Sequence, residues 1–252
     1  MLALERHKKI LEILKINGVV MVSKLSSELG VTEETVRRDL EKLEAQELLR
    51  RTHGGALSID EGSYEYSLEK RKTLNVEVKK ELARKAVLHI ATGDTVFLDA
   101  STTTFYMAKE IKNMKNVTVI TNSIRVINEL AGSEGVKAIA VGGIVSKNQS
   151  LIGAMAENYI SENYFADKMF FSSKGISNNA ILESNEQECF IKQRMIKNSG
   201  TCYYLCDKSK IGRVGCMRLA SFDDIAYIVT DAEIDGNLKD ILVENNVEII
   251  NI

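Results

Sequence analysis

The sequence predicts a two-domain α/β protein, and two observations carry that prediction. The first 57 residues contain three segments in which apolar side chains recur at helical spacing. From about residue 77 onward, short apolar runs alternate with helical segments, a pattern typical of a mostly parallel sheet covered on both faces. A chain of 252 residues with 44% hydrophobic content has room for two cores. We therefore predict a helical domain at residues 1–57, a linker at 58–76 and an α/β domain at 77–252.

The helical domain is predicted to begin with two helices that share one small core. The first, ERHKKILEILKING, contributes apolar side chains at helical spacing, namely Ile10, Leu11, Leu14 and Ile16. The second has its apolar side at Val22, Leu25 and Leu29. We expect Ser23 to cap the start of the second helix, since a short polar side chain can accept from free N–H groups there. We expect Gly30 to end it, since glycine tolerates a left-handed conformation.

The third helix is predicted to present polar side chains opposite its buried stripe. Thr32 is the predicted N-cap, and two glutamates follow in the first turn, where the helix dipole favours negative charge. The buried stripe consists of Val36, Leu40 and Leu43. Arg38 points away from this stripe, with Thr35 and Arg37 beside it. A helix of this form fits a DNA major groove, although a helical hairpin with a solvated charged face has the same pattern.

A basic segment, LLRRTHGGA, follows the third helix. Leu48 and Leu49 can begin a short strand and Gly54–Gly55 can form a turn, which together make a wing. The cationic or titratable side chains of this wing are predicted to contact DNA phosphates, and they are Arg50, Arg51 and His53. Residues 1–56 hold ten Lys and Arg against nine Asp and Glu. The placement of the cations, and not the net charge of the domain, therefore indicates DNA binding.

Residues 5–56 resemble the winged helix-turn-helix domain of the DeoR family of bacterial transcriptional regulators. The resemblance rests on VTEETVRRDLEKLE followed by RRTHGGA. It implies that the partner is double-stranded operator DNA. It also implies that Thr32, Thr35, Arg37 and Arg38 face the operator, and that Arg50, Arg51 and His53 lie near its backbone. We assign Ser23 to the same DNA-binding surface.

Composition and cysteine placement limit the remaining possibilities. A net charge of −2 argues against a protein that coats nucleic acid without selectivity. No apolar run approaches the roughly 20 residues that span a bilayer, and the N-terminus reads as a charged helix, so we expect a cytoplasmic protein with no membrane contact. The four cysteines are expected to be free thiols. Cys202 and Cys206 share one face of a predicted strand and are expected in the core, and we expect no metal or cofactor.

The second domain is predicted from seven apolar runs. A helix, EVKKELARKAVLHIA, precedes them. The predicted strands are TVFLDA, NVTVITN, VKAIAVGG, DKMFFSS, GTCYYLCD, IAYIVTD and VEIINI. Because their apolar residues are nearly continuous, both faces of the sheet should be covered.

Polar or glycine residues follow five of these strands. In parallel α/β sheets, ligands bind outside the carboxyl ends of the strands, and free N–H groups at a helix N-terminus bind phosphate. Each feature alone has an ordinary explanation: a helix cap, a turn, a solvated lysine, or a surface pair at i and i+4 for Glu188 and Lys192. Their convergence predicts an anionic small-molecule site with the following residues: Asp99, Ser101, Thr102, Thr103, Thr104, Asn122, Ser123, Gly142, Gly143, Lys174, Gly175, Glu188, Lys192, Asp207, Lys208 and Lys210.

The second domain also resembles the DeoR family, in its sensor domain. The matching segments are FLDASTTT, VITNS, VGGIVS, SLIGAMAE, the E-x3-K-x2-M of residues 188–195, and DKSKIG. The resemblance implies a fold similar to ribose-5-phosphate isomerase and the CoA-transferases, and an effector that is a phosphorylated sugar or a related metabolite. Two positions depart from the family pattern, because Ser101 and Ser172–Ser173 stand where glycine is usual.

Three functions are compatible with these features. The first is a transcriptional regulator, a repressor of a sugar catabolic operon, that is released from DNA by a sugar phosphate and forms a homodimer or homotetramer. The second is a sugar-phosphate isomerase with an attached DNA-binding module, for which Asp99, Glu186, Glu188, Lys174 and Lys192 could supply the base and its partner. The third is an architectural DNA binder without a ligand, which leaves the polar strand ends unexplained.

Overall fold

The structure, a computed structural model, describes residues 2–17, 19–58 and 66–252, without the side chains of Lys15, Ile16 and Ser58. The chain divides into two compact units, Met1–Tyr66 and Ser67–Ile252. Within the described residues, no helix combines the length and the apolar character needed to cross a bilayer.

The first unit is a winged helix-turn-helix. Its elements are α1 (Ala3–Asn17), β1 (Val19–Met21), α2 (Val22–Leu29), α3 (Glu33–Ala45), β2 (Leu49–Thr52) and β3 (Gly55–Ser58). The strands form an antiparallel sheet in the order β1-β3-β2. The predicted apolar stripes meet in one core that includes Ile10, Leu14, Leu25, Val36 and Leu40. This confirms the predicted fold of the unit, while strand β1 was not predicted and the side chain of Ile16 lies outside the described residues.

The ends of the helices confirm two predicted caps and correct a third. The Thr32 hydroxyl accepts from the backbone N–H of Thr35 at 3.3 Å, and Gly30 ends α2 with φ of 63°. Ser23 does not cap α2, because that helix begins at Val22, directly after strand β1, and Ser23 lies exposed in its first turn. The wing turn lies at residues 53–54, one position earlier than predicted. Gly55 begins β3, where an added Cβ would lie 1.9 Å from the Val20 carbonyl oxygen.

A buried ion pair joins α1 to α3, which the sequence did not indicate. Arg6 donates to Asp39 through Nε at 2.5 Å and Nη2 at 3.0 Å, and His7 Nε2 lies 3.0 Å from the same carboxylate. Burial alone would raise the pKa of Asp39, but the hydrogen bonds from Arg6 and His7 outweigh it and lower that pKa. The pair therefore fixes α3 from the side opposite its exposed arginines.

The second unit is built on a parallel sheet of seven strands. Its helices are α4 (Leu68–Thr73), α5 (Val76–Val87), α6 (Thr104–Ile111), α7 (Ile124–Leu130), α8 (Ala154–Asn163), α9 (Glu186–Lys197) and α10 (Gly236–Glu244). The strands of the main sheet are β4 (Thr95–Leu98), β5 (Val117–Thr121), β6 (Val136–Ala140), β9 (Ala166–Phe171), β12 (Ser199–Cys206), β14 (Tyr227–Thr230) and β15 (Glu248–Asn251). They run in the order β15-β14-β12-β9-β4-β5-β6, and every neighbouring pair is parallel.

All seven predicted strands are confirmed, and an apolar core covers each face of their sheet. Five short strands were not predicted: β7 (Ile144–Val145), β8 (Leu151–Ile152), β10 (Gly175–Ser177), β11 (Ala180–Glu183) and β13 (Met217–Ala220). Strands β7 and β8 form a hairpin, and β10, β11 and β13 form a small antiparallel sheet. Cys202 and Cys206 are buried on β12 as free thiols.

The segment assigned to the linker is partly helical. Residues 59–65 lie outside the described part of the chain, but α4 occupies Leu68–Thr73 and belongs to the second compact unit. Hydrogen bonds from the Lys79 ammonium on α5 hold this short helix in place. The ammonium donates to the carbonyls of Arg71 at 2.6 Å and Leu74 at 2.7 Å.

Candidate functional site

The polar residues predicted to bind a ligand lie mainly along one edge of the main sheet. Strand register pairs Leu98 with Thr121 on one side and with Phe170 on the other. The residues that follow these strands are therefore neighbours across the edge. Asn122 lies beside Asp99, and Asp99 lies beside Ser172, whose backbone N–H donates to the Asp99 carboxylate at 3.2 Å.

Asp99 is fully buried, and each of its oxygens has two hydrogen-bond partners. Oδ1 accepts from the Ser101 N–H at 3.1 Å and the Thr104 hydroxyl at 2.8 Å. Oδ2 accepts from the Ser172 N–H at 3.2 Å and lies 3.1 Å from the Lys192 ammonium. A carboxylate has about four lone-pair sites, so Asp99 is fully engaged by the protein itself.

Lys192 on α9 is engaged to the same degree. Its ammonium donates to Glu183 at 2.7 Å and to the Ser172 carbonyl at 2.9 Å, and it forms an ion pair with Asp99 at 3.1 Å. Burial alone would lower the pKa of Lys192, but the carboxylates of Glu183 and Asp99 outweigh it and raise that pKa. Lys192 therefore remains charged and joins α9, β11 and the ends of β4 and β9.

Glu188 is also buried and holds the β7–β8 hairpin. Its Oε1 accepts from the Ser150 hydroxyl at 2.5 Å, the Ser146 hydroxyl at 3.4 Å and the Asn148 amide at 3.5 Å. A surface pair between Glu188 and Lys192, which their spacing allowed, is wrong, because both are buried with other partners.

Asp207 and Lys210 lie at the end of β12, where the 3₁₀ turn of residues 208–210 begins. Asp207 accepts from the Asn75 amide at 3.0 Å and from the Ser209 N–H at 3.1 Å. Burial alone would raise the pKa of Asp207, but Lys210 and Ser209 outweigh it and lower that pKa. Lys210 donates to the Ser172 hydroxyl at 2.9 Å and to the Ser173 carbonyl. Lys208 is exposed; its backbone N–H donates to Asp231 at 2.6 Å, and its carbonyl accepts from the Ile211 N–H at 3.3 Å.

The turn before α6 retains uncommitted groups. Ser101 caps this helix by accepting from the Thr104 N–H at 3.2 Å, so the serine found in place of the family's glycine is part of the turn. The side chains and N–H groups of Thr102 and Thr103 form no hydrogen bond within the part of the chain that the structure describes. Asn122 Oδ1 is likewise buried without a partner there.

The remaining predicted residues have mainly structural explanations. Ser123 caps α7 by accepting from the Val126 N–H at 3.3 Å. An added Cβ on Gly143, whose φ is 130°, would lie 2.6 Å from the Ile152 carbonyl oxygen, and one on Gly175 would lie 2.4 Å from that of Arg213. Gly142 is exposed. Lys174 is half-buried, and its backbone N–H donates to Leu182 at 3.1 Å.

Four residues at this edge were missed by sequence reasoning. Lys79, Glu183 and Asn75 occupy positions that read as solvated helix or loop, and Arg125 reads as an ordinary helix cation. Burial lowers the pKa of Lys79 to about 8, with Lys210 adding to the shift. The sequence offered no signal for these contacts, because they join segments up to 134 residues apart.

The predicted DNA-binding side chains lie on the exposed surface of the first unit. Arg37 pairs with Glu33 at 2.6 Å and Arg38 with Glu34 at 3.3 Å, and the Arg38 side chain is 72% exposed. Such exposed pairs contribute little stability, so both arginines can exchange their partners for DNA. Thr32, Arg50 and His53 are exposed, while Thr35 and Arg51 are half-buried. The Arg51 N–H donates to Glu44 at 2.8 Å, which fixes the wing against α3.

A winged helix-turn-helix joined to an α/β unit with a polar sheet edge defines a two-domain regulator, and comparisons with known proteins agree. Residues 6–62 match the DeoR-like helix-turn-helix domain, and residues 74–232 match the DeoR C terminal sensor domain. The chain belongs to the DeoR family of transcriptional regulators.

Relatives align over nearly the whole chain. The uncharacterised transcriptional regulator YulB of Bacillus subtilis (strain 168) is 41% identical over 93% of this chain and 91% of its own. The glycerol-3-phosphate regulon repressor of Escherichia coli (strain K12) is 30% identical over 97% of each chain. A structure of D-ribose-5-phosphate isomerase in complex with phospho-erythronic acid aligns over 54% of each chain, with TM-score 0.41 and 13% identity.

Substitutions at the adjacent Thr103 and Thr104 test the distinction between side chains that are hydrogen-bonded within the protein and side chains that are open to a ligand. We expect Thr104→Val to lower the free energy of unfolding by about 1–3 kcal/mol, because the buried Asp99 carboxylate loses a donor. Thr103→Val should change it by less than about 0.5 kcal/mol, since no intramolecular hydrogen bond is lost. Urea unfolding followed by circular dichroism measures both. Equal losses in the two variants would contradict the distinction.

Proposed function

We propose that this protein binds double-stranded operator DNA through α3 and its wing, and that a phosphorylated sugar or related metabolite bound at the sheet edge changes its operator affinity. The observation that carries this proposal is the presence in one chain of an exposed helix bearing Arg37 and Arg38 and a buried polar edge with uncommitted groups. The Escherichia coli relative is named a repressor of a phosphorylated-polyol regulon, which supports repression and this class of effector. Such a regulator acts in the cytoplasm.

The effector is placed by the groups that the protein leaves open. Its phosphate lies on the free N–H groups and hydroxyls of Thr102 and Thr103, at the start of α6, where the helix dipole favours an anion. Lys210 uses two donors on Ser172 and Ser173 and keeps a third for the ligand. Asp99 and Lys192, which the sequence assigned to the ligand site, act instead as the scaffold that shapes this turn.

The same contacts argue against the isomerase alternative. A general base must reach the proton that it removes. Both oxygens of Asp99 and the ammonium of Lys192 are engaged inside the protein, and Glu188 Oε1 is engaged by the β7–β8 hairpin. The arrangement supports binding without turnover, so we propose that the protein is not an enzyme.

Helix α4 gives the effector a route to the DNA-binding unit along the chain. It is the first described helix after the wing, and two chains of contacts tie it and the residues that follow it to the sheet edge. On one side, Arg71 donates to Asn148 at 2.8 Å, and Asn148 donates to Glu188. On the other, Asn75 donates to Asp207 at 3.0 Å. A ligand that repositions the sheet-edge residues would therefore change the position of α4.

The second unit is also proposed to hold a homodimer or homotetramer. Regulators of this kind gain specificity by placing two readers on spaced half-sites. Four large apolar side chains are exposed on β7 and α8, namely Ile144, Val145, Met155 and Tyr159. Sedimentation of the full-length protein at micromolar concentration should show a dimer or tetramer, and Met155→Glu should shift it toward monomer. A wild-type monomer would contradict this assembly.

The reading helix is tested by its most exposed arginine. If Arg38 reads a base, Arg38→Ala should weaken operator binding by about 1–3 kcal/mol and relax the preference at one operator position. Arg50→Ala, the comparison on the wing, should weaken binding to all sequences alike and reduce the salt dependence. Fluorescence anisotropy at fixed salt measures both effects. Unchanged operator affinity in Arg38→Ala would rule out this assignment of α3.

The effector site is tested by titrating operator complexes with a panel of pentose, hexose and glycerol phosphates. One compound should change wild-type operator affinity by about 5- to 150-fold, the usual range of allosteric coupling. Thr103→Glu should keep the affinity of the effector-free protein and lose the response, because its carboxylate occupies the phosphate position. Asn179→Glu adds the same charge in the exposed turn between β10 and β11 and should respond normally. A full response by Thr103→Glu would place the effector elsewhere.

A further inference from the structure

The junction between β5 and α7 holds two buried polar atoms without a partner in the described part of the chain. One is an acceptor, Asn122 Oδ1, and the other is a donor, Arg125 Nη1. Asn122 is fully buried, and its amide nitrogen already donates to the Leu151 carbonyl at 3.3 Å. Leaving such atoms unpaired in a protein interior is costly. A matched acceptor and donor three residues apart therefore indicate a ligand that pairs with both.

Arg125 is positioned at the first turn of α6. Its guanidinium carbon lies 3.9 Å from the ring centroid of Phe105, the second residue of that helix. The free N–H groups of Thr102 and Thr103 precede the same turn. Burial lowers the pKa of Arg125, with Tyr106 and Glu69 opposing the shift, and the guanidinium stays charged at neutral pH. A buried guanidinium nitrogen, on a side chain that packs on the helix these free N–H groups precede, suits an anion with several acceptor oxygens.

We propose that Arg125 binds the anionic group of the effector through Nη1, and that Asn122 Oδ1 accepts a hydrogen bond from a hydroxyl of the same molecule. This inference rests on the proposed function and adds two requirements to it. The ligand carries a phosphate at the start of α6, and a hydroxyl lies within reach of that phosphate, as in a polyol or sugar phosphate. Arg125 then selects for the charge and Asn122 for the hydroxyl.

The competing explanation is that Arg125 only stacks on an aromatic ring. The chain supplies a matched control for it, because Lys109 also lies over Phe105, with Nζ 5.1 Å from the ring centroid. Lys109 is exposed and lies one turn further along α6. If stacking or general positive charge were the whole role of Arg125, neutralising either cation would have the same effect.

The experiment is calorimetric titration of the full-length protein with inorganic phosphate and with glycerol 3-phosphate, at constant ionic strength. We expect Arg125→Gln to weaken the binding of both probes by about tenfold or more, the loss of one charge-assisted hydrogen bond. Lys109→Gln should bind both as the wild type does. Asn122→Ala should weaken the binding of glycerol 3-phosphate and leave the binding of inorganic phosphate unchanged. Arg125→Lys, which keeps the charge, should bind both probes with intermediate affinity. Thermal unfolding of each variant identifies any variant that fails to fold.

The outcomes separate this inference from the proposed function. If Arg125→Gln binds phosphate as tightly as the wild type while Thr103→Glu does not bind it, the role of Arg125 is wrong and the site at α6 stands. If Arg125→Gln and Lys109→Gln weaken binding equally, the effect is general charge and the inference is wrong. If the wild type binds neither probe at millimolar concentration, both the inference and the proposed phosphate site are wrong.

Discussion

The contacts of the buried Lys192 ammonium are the interactions on which the rest of the sensor unit depends. A charge removed from water needs a full set of partners, and Glu183, Asp99 and the Ser172 carbonyl supply them. Removing one partner of such a cluster costs about 3–5 kcal/mol, because the others are left buried and unpaired. The cluster thereby fixes the turns that follow β4 and β9. It also engages the charged residues that would otherwise be the obvious candidates to bind a ligand.

This constraint explains the chemistry of the remaining site. With Asp99 and Lys192 engaged, the groups left for a ligand are backbone N–H groups, two threonine hydroxyls, one amide oxygen and the cationic side chains of Lys210 and Arg125. Such groups bind an anion and its hydroxyls but provide no mobile base.

Much of the fold could be predicted from the sequence, because strong local patterns governed it. Seven continuous apolar runs form seven strands. As expected, Thr32 caps the start of α3 and Gly30 ends α2. The strands that were missed are two to four residues long, and none of them was identified as an apolar run like those of the main sheet. Ser23 has the composition of a cap, but strand β1 runs directly into α2 and moves the helix start to Val22.

The candidate site was predictable in outline and not in its contacts. Polar residues after apolar strands predicted that these side chains would lie along one edge of the sheet, since parallel strands end together. The sequence could not distinguish engaged from open groups. The i and i+4 spacing of Glu188 and Lys192 fits a solvated face as well as a buried one, and Lys79 and Arg125 look like ordinary helix cations. Their roles depend on partners that only the folded chain brings near, as Arg6 and Asp39 also show in the first unit.

The central claim is that effector binding reaches the DNA-binding unit through α4. Its most direct test is the coupling between the active sugar phosphate and operator DNA in the double variant Asn75→Gly and Asn148→Ala. This variant removes the side-chain hydrogen bonds of Asn75 and Asn148 with the sheet edge and keeps the Lys79 contacts that hold α4 in place. Glycine at position 75 keeps the left-handed backbone, with φ of 50°. The account predicts that the variant binds each ligand alone as the wild type does, while the sugar phosphate changes operator affinity by a much smaller factor than in the wild type. Wild-type coupling in this variant would contradict the account.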